Sequence, residues 1–102
     1  MEMMMVRVYV METEKKLKPI LNYLHDIVKV RGVTVFRAVL GFGESGQVHT
    51  SSLVDLSLNL PLAIEFFDSK ECTTKIIEHL NTLVEPGHIV SWPIKVNLNT
   101  ID

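Results

Sequence analysis

Apolar residues recur at every second position in four stretches of this sequence and at spacings of three and four in two others. The order of these stretches restricts the fold more than any other feature. Val6, Val8 and Val10 alternate with Arg7 and Tyr9, the period of a strand with one buried face, over residues 4–10. Leu17, Ile20, Leu21, Leu24, Ile27 and Val28 then share one helical stripe; Pro19 suits a first helical position and Gly32 a stop, which predicts a helix over residues 19–31. Val33, Val35 and Val39 alternate with Thr34, Phe36 and Ala38 as a second strand, with Arg37 interrupting the inward row. After a long connection, Leu60, Leu62, Ile64 and Phe66 alternate with Ala63, Glu65 and Phe67 in a third strand ending at Asp68. Ser69 is placed to cap a second helix that carries Ile76, Ile77, Leu80, Leu83 and Val84 on one stripe and stops at Pro86-Gly87. Val90, Trp92, Ile94, Val96 and Leu98 alternate with Ser91, Pro93, Lys95 and Asn97 as the fourth strand. Pro93 has no N–H to give a ladder, so this strand belongs at an edge or carries a bulge.

The order β-α-β-β-α-β, with two right-handed crossovers, predicts an α+β ferredoxin-like sandwich: an antiparallel four-stranded sheet with two helices on one face, in a single domain over residues 1–102. A chain of 102 residues builds one modest core. With both helices on one side, Tyr9, Phe36, Ala63 and Phe67 line a sheet face that nothing in the chain covers, which predicts a homo-oligomer. Apolar residues at 47% and charged residues at 22% exclude a disordered chain. A net charge of −2 supplies no basic footprint for nucleic acid. Cys72, the one cysteine, can form neither an intramolecular disulfide nor a thiolate cluster. The first residues lack the basic n-region of a signal peptide, and no apolar run reaches the ~18 residues of a membrane span, so a cytoplasmic protein without membrane insertion is expected.

The connection over residues 41–59 is longer than compact domains carry without a purpose. Its opening, Gly41-Phe42-Gly43-Glu44-Ser45-Gly46, matches G-x-G-x-x-G and follows a strand, but the next residues are β-branched and hydroxyl-rich and do not open a helix. The dinucleotide reading therefore fails on context. The glycines permit positive φ in a flexible tip over residues 43–50, while Leu53, Leu56, Leu58 and Leu60 point to packing in the second half. Backbone N–H groups beside the glycines, with His49, can cradle an anion; against phosphate stand Glu44, Asp55 and the lack of any Lys or Arg between Arg37 and Lys70. Arg37, on the face of the valines, either snorkels at the sheet's end or is committed to an anion or carboxylate partner.

No catalytic set emerges, and the chain reads as a non-enzyme. Cys72, His25, His49, His79 and His88 form no recognisable constellation. Cys72, near the start of the second helix, is either activated by the helix N-terminus, a buried inert thiol or a merely tolerated surface cysteine. Glu12 with Glu14, and Glu65 with Asp68, read as solvated surface charges. His79 and His88 flank a turn and His49 lies in the loop, so a metal would need ligands from more than one copy; no metal-binding residues are assigned.

The segments Val35-Phe36-Arg37-Ala38-Val39-Leu40-Gly41-Phe42-Gly43, His49-Thr50 and Leu56-Ser57-Leu58-Asn59-Leu60-Pro61-Leu62-Ala63-Ile64-Glu65, with Arg7-Val8-Tyr9 and Lys18-Pro19-Ile20, resemble the PII-like proteins known as domain of unknown function 190. The resemblance spans nearly the whole chain. It implies a fold related to nitrogen-regulatory PII proteins, trimers, and binding of a small ligand or nucleotide in clefts between subunits, with residues 41–59 as the loop that meets a protein partner. The ligand-binding residues expected on this reading are Arg37, Gly41, Gly43, His49 and His88, with ligand ordering the tip and so changing affinity for the partner. The ligand itself stays unspecified. Ala38 stands where this family often has glycine, and Glu85-Pro86-Gly87-His88 lacks the Gly- and Lys-rich phosphate loop of true PII proteins. The alternatives are a trimeric metal-binding protein of copper-tolerance type and a structural oligomerisation module.

Overall fold

The computed structural model describes residues 1–38, 40–41, 49–50 and 60–98. In chain order these form β1 (Glu2–Met11), a 3-10 turn (Glu12–Glu14), α1 (Leu17–Asn22) running on into a π turn (Tyr23–Ile27), β2 (Val33–Arg37), β3 (Leu40–Gly41), β4 (His49–Thr50), β5 (Pro61–Asp68), α2 (Lys70–Leu80) and β6 (Ile89–Lys95). Four strands make one sheet in the order β2-β5-β1-β6, every neighbouring pair antiparallel, so the ferredoxin-like arrangement is the observed one.

The register explains the core. Val6, Val8 and Val10 stand opposite Phe66, Ile64 and Leu62, and Val33 and Val35 continue two of these rows on β2. Ile20 and Leu24 from the first helical segment and Ile76 and Leu80 from the second, all four buried, pack with the buried rows of β1 and β5, so both helices cover the same face, while Val35 at its edge stays 37% exposed. At about 1.5–3 kcal/mol for each fully buried large apolar side chain, this face supplies the main drive to fold.

The first helix differs from the sequence reading at both ends. It begins at Leu17, with the Ile20 N–H donating to Lys16 O at 3.1 Å, and Pro19 falls in the first turn, where N–H groups have no intrahelical acceptor in any case. It ends before Gly32. Lys29 adopts φ 52°, and wide-turn bonds from Val28 to Tyr23 O (3.0 Å) and from Val30 to Leu24 O (3.1 Å) satisfy the last carbonyls.

The second helix starts as expected: the Ser69 hydroxyl accepts the Cys72 N–H at 3.1 Å. Gly87, at φ 89°, turns the chain into β6 in a conformation that favours glycine. β6 is an edge strand. Hydrogen-bonded pairs join Tyr9 to His88 and Met1 to Val96, so Pro93, opposite Met4, falls between bonded pairs and its missing N–H faces the free edge. Among the described residues no helix is long and apolar enough to cross a membrane.

Candidate functional site

Two regions bring charged groups together against apolar ones, one on each face of the sheet. On the face away from the helices, Arg7 of β1 stands directly opposite Glu65 of β5. Arg7 Nε donates to Glu65 Oε2 at 2.6 Å, Nη1 reaches the Tyr9 hydroxyl at 3.3 Å, and the guanidinium carbon lies 5.2 Å from the centroid of the Trp92 ring. The Tyr9 hydroxyl and the Glu65 carboxylate together raise the Arg7 pKa above its ordinary value. Around this polar centre Phe36, Tyr9 and Val90 are 51%, 40% and 41% exposed, and the small Ala63 lies between Phe36 and Tyr9 in the register. The face predicted to be uncovered is thus bare and largely apolar in the chain by itself.

The second region lies at the end of the sheet where β1 and β2 finish. Val10, Leu62 and Arg37 share one cross-strand row, and Glu12 continues the inward phase of Val6, Val8 and Val10 beyond the strand. Arg37 Nε lies 2.6 Å from Glu12 Oε1, so Arg37 stands at the sheet's end with an exposed side chain and also has a carboxylate partner. Charge contact is not matched by hydrogen bonding: Glu12 Oε1 is buried and accepts no aligned hydrogen bond. The Glu12 side chain is only 17% exposed, whereas that of Arg37 is 61% exposed. Glu12, Leu17, Val35, Arg37 and Leu62 line a cavity of about 290 Å³ between them.

Glu14 has a different task. Its Oε1 accepts the Met11 N–H at 2.6 Å and its Oε2 lies 3.1 Å from Lys16 Nζ, while Lys15, at φ 56°, makes the reversal that permits this. Burial alone would raise this carboxyl, but the Met11 N–H, Lys16 and the nearby His88 together lower it. Neither Glu12 nor Glu14 is the freely solvated charge that the sequence led one to expect.

The residues singled out from sequence are dispersed. Arg37 ends β2 at one edge of the sheet and His88 precedes β6 at the other, at the same end, with β5 and β1 between them. That is a gap of three strand spacings, about 14 Å. Gly41 and His49 are direct partners in the short β3–β4 ladder. His49 and Thr50 therefore belong to a ladder at the base of the connection and not to its tip, while Gly43 and the rest of the tip lie outside the described residues. His25 pairs with Asp26 at 2.7 Å on the surface, and His79 stacks on Tyr23 with ring centroids 4.0 Å apart. The Cys72 thiol is pushed up by burial and by Asp68, opposite to activation at a helix N-terminus. Among the described residues no three His, Cys, Asp or Glu side chains are grouped to hold a metal ion. Sequence reasoning missed Glu12, Arg7 and Glu65. The signal available was phase: Glu12 extends an inward row, and Arg7 and Glu65 occupy mid-strand outward positions.

The sheet order and the two helices on one face define a ferredoxin-like α+β fold. The chain belongs to the DUF190 family, described as Uncharacterized ACR, whose model matches residues 3–96. A UPF0166 protein of Aquifex aeolicus is 31% identical over 80 residues, 74% of this chain and 76% of that protein. CPII of Thiomonas intermedia, solved with ADP and bicarbonate, is similar with a TM-score of 0.71 at 18% identity, over 94% of this chain and 89% of that one. GlnK of B. subtilis, solved with ATP, gives 0.60 at 15% identity over 91% and 82%. The periplasmic divalent cation tolerance protein CutA of Archaeoglobus fulgidus gives 0.60 at 10% identity over 95% and 86%. At these identities the solved structures speak to the fold alone.

Proposed function

We propose that this protein is a non-enzymatic cytoplasmic regulator that works as a homotrimer, binds a small ligand such as a nucleotide between neighbouring copies, and signals to a partner through residues 41–59. The observation that carries this reading is the placement of Arg37 and His88 at the same end of opposite sheet edges. Within one chain the two stand about 14 Å apart. A ring that sets the β2 edge of one copy against the β6 edge of the next would bring Arg37 of one copy to the end of the sheet where His88 of its neighbour stands, and a site there would form only on assembly. The bare face bearing Phe36, Tyr9 and Val90 supplies the apolar surface that such an assembly buries. The ladder that pairs Gly41 with His49 begins at Leu40, three residues after Arg37, which gives a ligand at this edge a direct route to the long connection. Fold neighbours solved with ADP and with ATP make nucleotides the first compounds to try.

Native mass spectrometry followed by titration with ADP and ATP tests the reading. A trimer that takes up nucleotide, with binding lost in Arg37→Ala and His88→Ala, is the expected result. A monomer, or a trimer indifferent to both nucleotides, overturns it. A trimer that instead retains a divalent cation would favour the metal-binding alternative.

A further inference from the structure

We infer that the cavity under the start of α1 is a binding site within one chain for a small α-amino acid with an aliphatic side chain. Three features of the cavity point to a zwitterion with an apolar body. Glu12 Oε1 is buried and meets Arg37 Nε at 2.6 Å without an aligned hydrogen bond, so an ammonium group can supply the alignment that Arg37 does not. Arg37, at the rim and 61% exposed, turns a planar set of donors outward, the geometry that grips a carboxylate. Leu17, Val35 and Leu62 form the rest of the lining, and a volume of about 290 Å³ holds one small organic molecule.

Opposite charges held 2.6 Å apart match the adjacent ammonium and carboxylate of an amino acid better than a ligand of single sign. A simple carboxylate would meet the repulsion of Glu12. An amine alone would add positive charge beside Arg37. Without ligand, Glu12 and Arg37 neutralise one another, which lets the carboxylate stay buried while the site is empty.

This site needs no second copy and shares only Arg37 with the proposed cleft between copies. The two readings fail separately: a protein that binds ADP but no amino acid overturns only this one, and the converse result overturns only the nucleotide reading.

The test is a titration of the isotope-labelled full chain with L-leucine, followed by amide shifts and by calorimetry. Saturable shifts at Glu12, Leu17, Val35, Arg37 and Leu62 are expected. 4-Methylpentanoate, which lacks the ammonium, and isopentylamine, which lacks the carboxylate, are each expected to bind about tenfold or more weakly than leucine. Glu12→Gln and Arg37→Gln should each weaken leucine by a similar factor, and the analogue series on the unaltered chain decides the matter if either variant fails to fold. Absence of saturable shifts at these residues overturns the inference, as does 4-methylpentanoate binding as tightly as leucine.

Discussion

Arg7 and Glu65 stand directly opposite one another on β1 and β5, on the face the helices leave bare, and their side chains are joined at 2.6 Å from Nε to Oε2. The same guanidinium contacts the Tyr9 hydroxyl and lies over Trp92, so one residue ties β1 to both of its neighbours. Arg7→Ala is expected to leave the Glu65 carboxylate without its cation and to weaken both fold and assembly. Arg7→Lys should recover only part of the loss, because an ammonium reproduces neither the planar fork nor the ring contact. Denaturant midpoints and sedimentation velocity of the two variants would show it; equal behaviour of Ala and Lys would refute a geometric role for the guanidinium.

Ser69 holds the first turn of α2 through the Cys72 N–H. Ser69→Ala is expected to cost about 1 kcal/mol. For a chain of this size that is a fall in Tm of roughly 4–8 °C by calorimetry. Ser69→Asp, which keeps an acceptor, should remain close to the parent.

Stability should depend on Glu14 in acid. Its carboxyl titrates below the ordinary range in the folded chain, so ionised Glu14 adds stability above the unfolded-state value of about 4.3. That contribution is lost as pH falls through the lower, folded-state value. Glu14→Gln is therefore expected to unfold more easily at neutral pH and to converge on the parent once the pH has fallen through the folded-state value. Urea unfolding at several pH values would measure this, and a constant gap between the two proteins would contradict it.

Cys72 is predicted to be slow toward alkylating reagents at neutral pH. Burial and the Asp68 carboxylate oppose the thiolate more than Lys75 favours it. Iodoacetamide labelling followed by mass should lag behind the urea-unfolded chain at the same pH; equal rates would show that the thiol is not protected.

The alternation of Val6, Val8 and Val10, the rows on the other three strands and the two helical stripes determined the element order, and with it the ferredoxin-like sheet and its bare face. Periodicity is a local property of the chain, so it was legible there. Local signals erred where a tertiary contact set the boundary. Gly32 read as the stop of the first helix, yet Lys29 makes the turn, because Ile20 and Leu24 must reach the sheet and the chain must then return to β2. Glu12 read as a solvated charge until the fold set it within 2.6 Å of Arg37, twenty-five residues later in the chain. Arg7 and Glu65 likewise became partners only through the β1–β5 register. Sequence spacing carries the face on which a side chain stands. Only the packed sheet decides which residue from a distant strand stands beside it, and the candidate sites depend on those pairings.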